Sequence, residues 1–445
     1  MPLLVAPAFF PPAIPVAAPV PRLQPAERVS AVHAIGALAL SAYVVSAYAT
    51  DISYHFLGGK PYLSWVAGIV TAITFLMSGT ALRALKTTTG KLALGLMVWL
   101  LIDIPFSRWP GGSFEMMQAY IPKAHFVIFF SAALLMTAKQ CRMIVTAYII
   151  AACAILFTCF RYGSINEDGR MGIEDSIFFA NPNDLALYLV ISLGFWTFLI
   201  SSPKLPTRIS GLLGAGIAVF YLLKTGSRGS FIALAAILAL WFILSKKRLQ
   251  VLLFMIPSVA IILMIAPSSM LHRMSLLTAT EGEAVQANDT GSVDSQFERQ
   301  QLLRLSIKYT FRNPLFGVGP GQFSDAVWAD YKKVGIHVAS LSTHNGYTQI
   351  SSECGLPAFF CFAGMIFLSI RNNFRLSRRT SGLPQYELVS RIAFGLTTAG
   401  VAFAANLFFH HVGYTMYVAS LTGLSIALEL ATVHIASGRT APVRR

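Results

Sequence analysis

The sequence is poor in charge, which excludes a water-soluble fold. Only 12% of the 445 residues are Asp, Glu, Lys or Arg, whereas an ordinary soluble domain is about one quarter charged. Hydrophobic residues make up 55% of the chain, and the mean hydropathy is +0.63. The length must therefore be divided into apolar spans of about 20 residues and the loops that join them.

Acidic residues are scarcer than basic ones. The 19 acids stand against 34 lysines and arginines, which gives a formal net charge of +15. Such a charge is typical of nucleic-acid-binding proteins, but here the basic residues concentrate in alternate loops between apolar runs. This pattern follows the positive-inside rule, with Glu27 and Glu387 as the acids of the inside loops. We therefore expect cytoplasmic termini and no nucleic-acid partner.

Cysteines and the common catalytic motifs are also scarce. The five cysteines form no CxxC pair and lie mostly in or beside apolar runs, which argues against a zinc site or a disulfide framework. The sequence has no Walker motif and no serine-hydrolase elbow, and no strand precedes the glycine-rich run PLFGVGPGQF. We expect neither a metal nor a cofactor.

Long apolar runs dominate what remains. About twelve of them are long enough to span a bilayer. The third is the weakest, because it is short, contains Asp103 and ends at a proline. The sequence predicts an all-α integral membrane protein with about 12 transmembrane helices. The runs lie near 30–48, 62–82, 92–107, 123–138, 143–160, 183–201, 208–223, 229–245, 249–266, 347–370, 391–409 and 413–433.

These runs divide the chain into five parts: a tail at 1–28, spans one to nine in 29–266, a polar loop at 267–346, spans ten to twelve in 347–433, and a tail at 434–445. The first tail carries a proline every few residues, so we expect a disordered cytoplasmic segment and no signal peptide.

The long loop lies on the non-cytoplasmic side in this topology. Within it, FERQQLLRLSIKYTFRN alternates hydrophobic and basic residues at roughly helical spacing before Pro314. It predicts a basic amphipathic helix that either lies at the membrane surface beside anionic head groups or only packs over the helix ends.

A basic corner between two spans is the first candidate site. The run YLLKTGSRGSFIALAAILALW places Arg228 in the first turn of an apolar helix, where an unpaired arginine is costly. The preceding Thr225, Gly226 and Ser227 form a candidate N-cap, and free N–H groups beside a guanidinium would suit a phosphate. The alternative is an arginine that extends to the outer head groups.

A histidine at the entry to the tenth span is the second candidate. His344 lies in LSTHNGYTQISSECGLPAF, where the polar loop meets the membrane, and imidazole titrates near neutral pH. Glu353 follows about two and a half helical turns later and would pair with an arginine or a sugar hydroxyl. The alternative for His344 is a cap or surface residue.

Two further loops contain polar residues without a complete motif. Arg170 is a candidate, although an ion pair with nearby acids would also explain it, and Asn183 and Asp184 suit a helix cap. His410 and His411 are adjacent, so their side chains point about 100 degrees apart on a helix and make a poor metal pair. We expect one to face the site and one the lipid interface.

Four stretches carry a family resemblance when they are taken in order. They are FANPNDLA at 179–186, TGSRGSFIAL at 225–234, ERQQLLRLSIKYTFRNPLFGVGPGQF at 298–323 and THNGYTQISSECGLPAF at 343–359. Together they resemble the O-antigen ligase and polymerase superfamily, membrane glycosyltransferases that use undecaprenyl-diphosphate-linked glycans. The most specific feature is His344 and Asn345 followed by Gly355, whereas Ala358 replaces the glycine usual after the GLP run.

The resemblance implies a GT-C-like fold in the bacterial inner membrane. It also implies a metal-independent transfer, at the periplasmic face, of a glycan from undecaprenyl diphosphate to an acceptor hydroxyl. Arg228 and Arg299 would bind the diphosphate, and His344 would activate or orient the acceptor. The remaining expected substrate-binding residues are Arg170, Ser227, Asn345, Glu353 and His411.

The acceptor and the class of activity have alternatives. We favour a ligase, whose acceptor is lipid A core, over an O-antigen or exopolysaccharide polymerase, whose acceptor is another lipid-linked glycan. A transporter, for example of bicarbonate, is the alternative from another class. We would expect a transporter to have inverted repeats and helices broken near the midplane, and the sequence has no internal repeat.

Overall fold

The computed structural model describes residues 29–50, 62–167, 169–245, 249, 290–333 and 342–433, with the backbone alone at 290–298. The predicted tails, 1–28 and 434–445, and nearly all of the ninth predicted span lie outside these residues. The helices are α1 Ala31–Tyr48, α2 Tyr62–Met77, α3 Thr88–Asp103, α4 Pro110–Tyr120, α5 Phe126–Leu134, α6 Ala138–Tyr162, α7 Pro182–Ile200, α8 Leu205–Thr225, α9 Arg228–Leu244, α10 Thr290–Arg312, α11 Phe323–Lys332, α12 Gly346–Thr380, α13 Glu387–Asn406 and α14 Met416–Ala431.

Shorter elements connect these helices. Two antiparallel strands, β1 (Gly163–Ile165) and β2 (Met171–Ile173), pair Ser164 with Gly172 between α6 and α7. The 3-10 turns are Ala81–Lys86, Ile104–Phe106 and Pro384–Tyr386, and a π turn covers Ile121–His125.

Seven of the described helices are long and apolar enough to cross a membrane, and α2, α9 and α14 are shorter apolar helices. Helix α2 presents large apolar side chains outward along one face, among them Trp65, Ile69 and Leu76, each more than half exposed. A soluble protein rarely leaves such a face uncovered, whereas lipid covers it at no cost. The chain is therefore a multi-pass membrane protein, and the count of twelve spans stays a prediction.

The fourth predicted span differs from the expectation of one helix over 123–138. The chain is already helical from Pro110, passes through the π turn at Ile121–His125 and ends at Leu134. Pro122 lacks the N–H that a regular α-helix needs at this position, and the wider turn accommodates it. The connection between the third and fourth predicted spans is thus largely helical.

Helices α7 and α13 form the most buried pair of the bundle. A Cβ added at Gly194 would lie 2.5 Å from the backbone nitrogen of Ala399 and the carbonyl oxygen of Gly395. Small residues at this crossing let the two backbones approach closely, which is how apolar helices gain packing contacts inside a membrane. This rigid centre supports the start of α7 and the end of α13, where the candidate site lies.

Helix α12 is broken, although the sequence predicts one continuous span at 347–370. Gly355 has φ 79° and ψ 178°, and Pro357 follows it. The segment after α10 supplies the missing backbone partners, because Leu356 N donates to Pro314 O and Val318 N donates to Ser352 O. A side chain at Gly355 would overlap the carbonyl of Leu315. Backbone groups of the glycine-rich run PLFGVGPGQF thus form the hydrogen bonds that the break leaves unmade, and we call this run the plug.

The predicted amphipathic helix is present as α10. Leu302 and Tyr309 are buried against Phe323 and Val327 of α11, and Thr310 Oγ1 lies 2.8 Å from Ser351 Oγ on α12. One face of α10 therefore packs over the helix ends, which is one of the two predicted arrangements. Its opposite face, with Phe311, is exposed.

Candidate active site

The corner between α8 and α9 has the turn that the sequence predicts. Gly226 closes α8 in the left-handed region at φ 60°, and Ser227 is the N-cap residue of α9. The hydroxyl of Ser227 makes no capping hydrogen bond, so the first-turn N–H groups of α9 have no side-chain cap. Arg228 is the first residue of α9 and is half-buried.

Arg170 lies directly over this corner. Its Nε donates to Thr225 O at 2.9 Å, and its NH2 group donates to Asn183 Oδ1 at 2.7 Å. The hairpin formed by β1 and β2 places Arg170 just before Met171, the first residue of β2. Arg170 therefore ties the end of α8 to the start of α7 and brings a second guanidinium to the corner that carries Arg228.

His344 lies beside His411 at the same end of the bundle. The two ring centroids are 5.2 Å apart in a T-shaped arrangement. His344 has φ 49°, a left-handed conformation that is uncommon for a residue with a side chain. Such local strain is often found at functional positions, because the surrounding structure must maintain it.

The charges around this histidine pair show that Arg299 is near. The pKa of His344 is lowered to about 4, mainly by burial and in smaller part by the charges of His411, Arg299 and His410. Burial also lowers the pKa of His411 to about 4, with His410 and Arg299 adding to the shift and Asp184 opposing it. Both imidazoles are thus neutral near pH 7, and Arg299 of α10 lies within electrostatic reach of both.

His410 faces the protein interior, which corrects the expectation that one of the adjacent histidines faces lipid. His410 is 6% exposed, and its Nε2 lies 3.1 Å from Asp184 Oδ1. Asp184 belongs to the first turn of α7, next to the Asn183 that accepts from Arg170. The adjacent histidines therefore connect the Arg170 corner with His344.

The segment 406–411 completes this connection by packing on α9. Asn406 Nδ2 donates to Ser230 Oγ at 2.7 Å. Gly229 allows close approach, since a Cβ there would lie 2.6 Å from the Cβ of Phe409. The first turn of α9, with Arg228, thus packs against the segment that carries His411.

Asn345 uses its side chain to position the histidine loop. Its Oδ1 accepts from Tyr347 N and Thr348 N as the N-cap of α12, and its Nδ2 donates to Phe408 O at 3.2 Å. These contacts hold the residue after His344 against the segment that ends at His411. In the structure Asn345 is thus a positioning residue, and the predicted contact with substrate stays untested.

Glu353 lies apart from the cationic group. It is 4% exposed, and its Oε2 accepts from Gly321 N at 2.9 Å. Asp103 is fully buried and close enough for its charge to interact with that of Glu353, and Tyr414 hydrogen-bonds to Glu353. Glu353 thus anchors the loop that plugs the break in α12.

The sequence interpretation identified the main cationic residues but missed three polar ones that join them. Asn183, Asp184 and His410 had adequate local explanations as cap or surface residues. The available signal was their place in FANPNDLA and FFHHVGY, two stretches at predicted outer ends of spans. Among the described residues, no group of three or more His, Cys, Asp or Glu is arranged to hold a metal ion.

The arrangement brings guanidinium groups and an imidazole that is neutral near pH 7 to the same end of the bundle. Guanidinium groups form charge-assisted hydrogen bonds with phosphate oxygens, and a helix N-terminus adds N–H donors for the same charge. An unprotonated imidazole can accept a proton from a hydroxyl. The chemistry that this site can perform is therefore displacement of a phosphate-bearing leaving group by an alcohol.

A comparison with protein families agrees with the resemblance in three of the four stretches, and FANPNDLA at 179–186 lies outside the matched segment. Residues 213–363 match a family model described as O-Antigen ligase. The matched segment contains Arg228, Arg299 and His344, whereas Arg170 and His411 lie outside it. No curated protein matches the chain.

Proposed function

We propose that the chain is a membrane glycosyltransferase that uses undecaprenyl-diphosphate-linked glycan at the periplasmic face, and the match of residues 213–363 to a family model described as O-Antigen ligase supports this proposal. One observation carries the proposal. Arg299, His344 and His411 lie within electrostatic reach of one another, and the segment with His411 packs on the helix that begins at Arg228.

The proposed leaving group is undecaprenyl diphosphate. As the bond between the anomeric carbon and the phosphate oxygen breaks, its electron pair leaves with the diphosphate. Arg228 and Arg299 would meet that growing negative charge, and Ser227 and the first-turn N–H groups of α9 would add neutral donors. Because guanidinium groups would supply the charge stabilisation, we propose a metal-independent reaction.

His344 would act as the base. The acceptor hydroxyl gives its proton to the imidazole while its oxygen forms the new glycosidic bond, and the imidazolium then returns the proton to solvent. His411 would hold the His344 ring through their T-shaped contact. Arg170 would support the donor site through its bond to Thr225 O.

Binding of the donor would also tune the base. In the structure, Arg299 contributes to lowering the pKa of His344. A diphosphate beside these groups would oppose that effect, because negative charge favours the imidazolium. His344 would therefore become a stronger base only when the donor is in place, which would link proton removal to the presence of a leaving group.

Transfer by the purified protein in liposomes tests the proposal directly. The donor is undecaprenyl-diphosphate-linked glycan, and the acceptor is either lipid A core or a second lipid-linked repeat. We favour lipid A core, which would make the protein a ligase, and a polymerase that extends the lipid-linked repeat is the alternative. Product with lipid A core supports ligase, longer lipid-linked chains support polymerase, and no product with either acceptor would contradict both.

The broken helix α12 is one observation that favours the transporter alternative, because transporters often bind their substrate at discontinuous helices. In this chain, however, backbone groups of 313–319 occupy the break. The glycosyltransferase proposal therefore predicts no flux. Uptake of bicarbonate by liposomes that contain the protein and no glycan donor would favour the transporter.

A further inference from the structure

Helix α10 presents a second cationic surface, away from Arg299. Leu303, Ile307 and Phe311 recur every four residues and are exposed, with Phe311 at 72%. Arg304, Lys308 and Arg312 form a parallel exposed stripe one residue further along. An apolar stripe beside a basic stripe is the surface that an interfacial helix presents to membrane lipids.

The basic stripe borders a cavity of about 200 Å³ between α10 and α11, lined by Leu305, Lys308, Tyr309, Arg312, Asp330 and Tyr331. This volume is smaller than that of sites for drug-sized ligands and suits a single head group or one sugar phosphate. The lining of the cavity contains none of the residues proposed for the His344 site.

Asp330 forms ion pairs with three basic residues at this cavity, so its single negative charge leaves a net positive charge there. Arg108, Arg312 and Lys333 each lie within 3.1–3.3 Å of its carboxylate. Burial opposes ionisation of Asp330, but hydrogen bonds from Tyr309, Arg108 and Lys333 lower its pKa to about 2. One carboxylate thus faces three cations, and among the described residues no acid lies within 4 Å of Lys308.

We propose that Lys308 and Arg312 bind the phosphate of an anionic membrane lipid, with Tyr309 and Tyr331 lining the head-group cavity. The net positive charge calls for an anion, and Lys308 and Arg312 are one helical turn apart, about 6 Å along the axis. The exposed Leu303, Ile307 and Phe311 on the same helix favour a lipid over a soluble phosphate. Two sources share this chemistry: a bulk phospholipid and a phosphorylated glycolipid.

The proposed lipid site lies on the same helix as Arg299, a residue of the proposed active site. Lys308 is nine residues after Arg299 on the same helix, which is about 14 Å along the axis. A phosphorylated glycolipid held there would keep its sugars within reach of His344, whereas a bulk phospholipid would fix α10 at the membrane surface. The proposal does not depend on glycan transfer, since either lipid would bind in the absence of donor.

Native mass spectrometry of the full-length protein in neutral detergent tests this site. The probes are phosphatidylglycerol against diacylglycerol, and lipid A against dephosphorylated lipid A. We expect Lys308→Gln to weaken binding of a phosphorylated probe roughly tenfold, as loss of one charge-assisted hydrogen bond would. Lys308→Arg should keep binding within about twofold, because it preserves the charge.

Arg304→Gln is the matched control, because it removes the same charge one turn earlier, outside the cavity lining. A selective effect of Lys308→Gln on phosphatidylglycerol supports a phospholipid site, and one confined to lipid A supports a glycolipid site. Equal effects of Lys308→Gln and Arg304→Gln on every probe, or no preference for phosphorylated lipids, would overturn the proposal.

Discussion

His344 lies just before the first half of α12 and Glu353 lies near the end of that half, and their surroundings differ in charge and exposure. His344 is partly exposed and lies near His410, His411 and the guanidinium of Arg299. Glu353 is buried and lies near Asp103, Tyr414 and the N–H of Gly321. Both positions resembled site residues in the sequence.

The comparison shows that polar side chains have two distinct roles in this fold. Arg299 lies within electrostatic reach of His344, and a guanidinium group suits an anionic substrate. The carboxylate of Glu353 already accepts a hydrogen bond from the chain itself, and that bond holds the plug in the helix break. We therefore expect substitutions at His344 to reduce activity and substitutions that remove the hydrogen bond of Glu353 to reduce stability.

The largest expected effect is on chemistry at His344. His344→Asn should reduce transfer by about 10²–10⁴-fold, because asparagine cannot accept the proton. Asparagine tolerates φ near +50°, so the backbone of the loop should be kept. The measurement is the turnover rate in liposomes, with the elution profile of the detergent-solubilised protein as a check on folding.

His33→Asn serves as the matched control for that change. Gln140 Nε2 donates to His33 O, so His33 lies by the first turn of α6, whereas Arg170 and His344 lie by its other end, about 37 Å away. Transfer should be unaffected. Activity of His344→Asn close to that of the parent protein would remove the histidine from the mechanism.

A large effect on stability is expected at the break itself. Gly355→Ala should destabilise the protein by about 3 kcal/mol or more, because φ 79° disfavours alanine and the new Cβ would overlap Leu315 O. The loss should appear as a lower thermal midpoint in detergent. Gly216→Ala in α8 is the control, since no atom lies within 4 Å of the added Cβ and alanine favours a helix.

The sequence predicted helices better than it predicted their interruptions. Apolar runs located α1, α3, α6, α7, α8 and α13 to within a few residues, because the lipid requirement leaves a strong local signal. The break in α12 was not predicted, although GLP marks it, because a break is stable only when another segment supplies its hydrogen bonds. That segment, 313–319, is about 40 residues earlier, and no local pattern reveals such a pairing.

The same reasoning explains what could be predicted of the site. Arg228 could be predicted because an unpaired arginine is costly at a membrane boundary, and His344 because an imidazole there titrates near neutral pH; both roles stay predictions. Asp184 could not, because its N-terminal place in α7 already gave it a reason to be there, and only the fold shows His410 3.1 Å away. When a local role such as helix capping already explains a residue, the sequence gives no further sign of its long-range contacts.

A smaller effect on activity is expected at Glu353. Glu353→Gln should keep transfer within about threefold, because the amide oxygen still accepts from Gly321 N. Glu353→Ala should cost about 1–3 kcal/mol, since it leaves that buried N–H without an acceptor. Turnover and thermal midpoint are measured together. A Glu353→Gln protein with a normal midpoint but no turnover would show that the carboxylate takes part in chemistry.

The smallest expected effect concerns pH. With the pKa of His344 lowered to about 4 by burial and neighbouring cations, the free protein keeps its base unprotonated well below pH 6.5. The value of kcat/KM should therefore fall less than about twofold between pH 7.5 and 5.5, whereas an ordinary histidine would give roughly a tenfold fall. A pH profile of kcat/KM with an acid limb near 6.5 would contradict the described surroundings of His344.

The plug in the broken helix has a mechanical consequence. Leu356 N of α12 donates to Pro314 O, and Val318 N donates to Ser352 O of α12. Together with the contact of Thr310 with Ser351, these hydrogen bonds join α10 to the half-helix that begins just after His344. The helix that carries Arg299 is thus hydrogen-bonded to the helix that follows His344, although 45 positions separate these two residues in the chain. We therefore expect the spacing between Arg299 and His344 to be kept when the surrounding spans move in the bilayer.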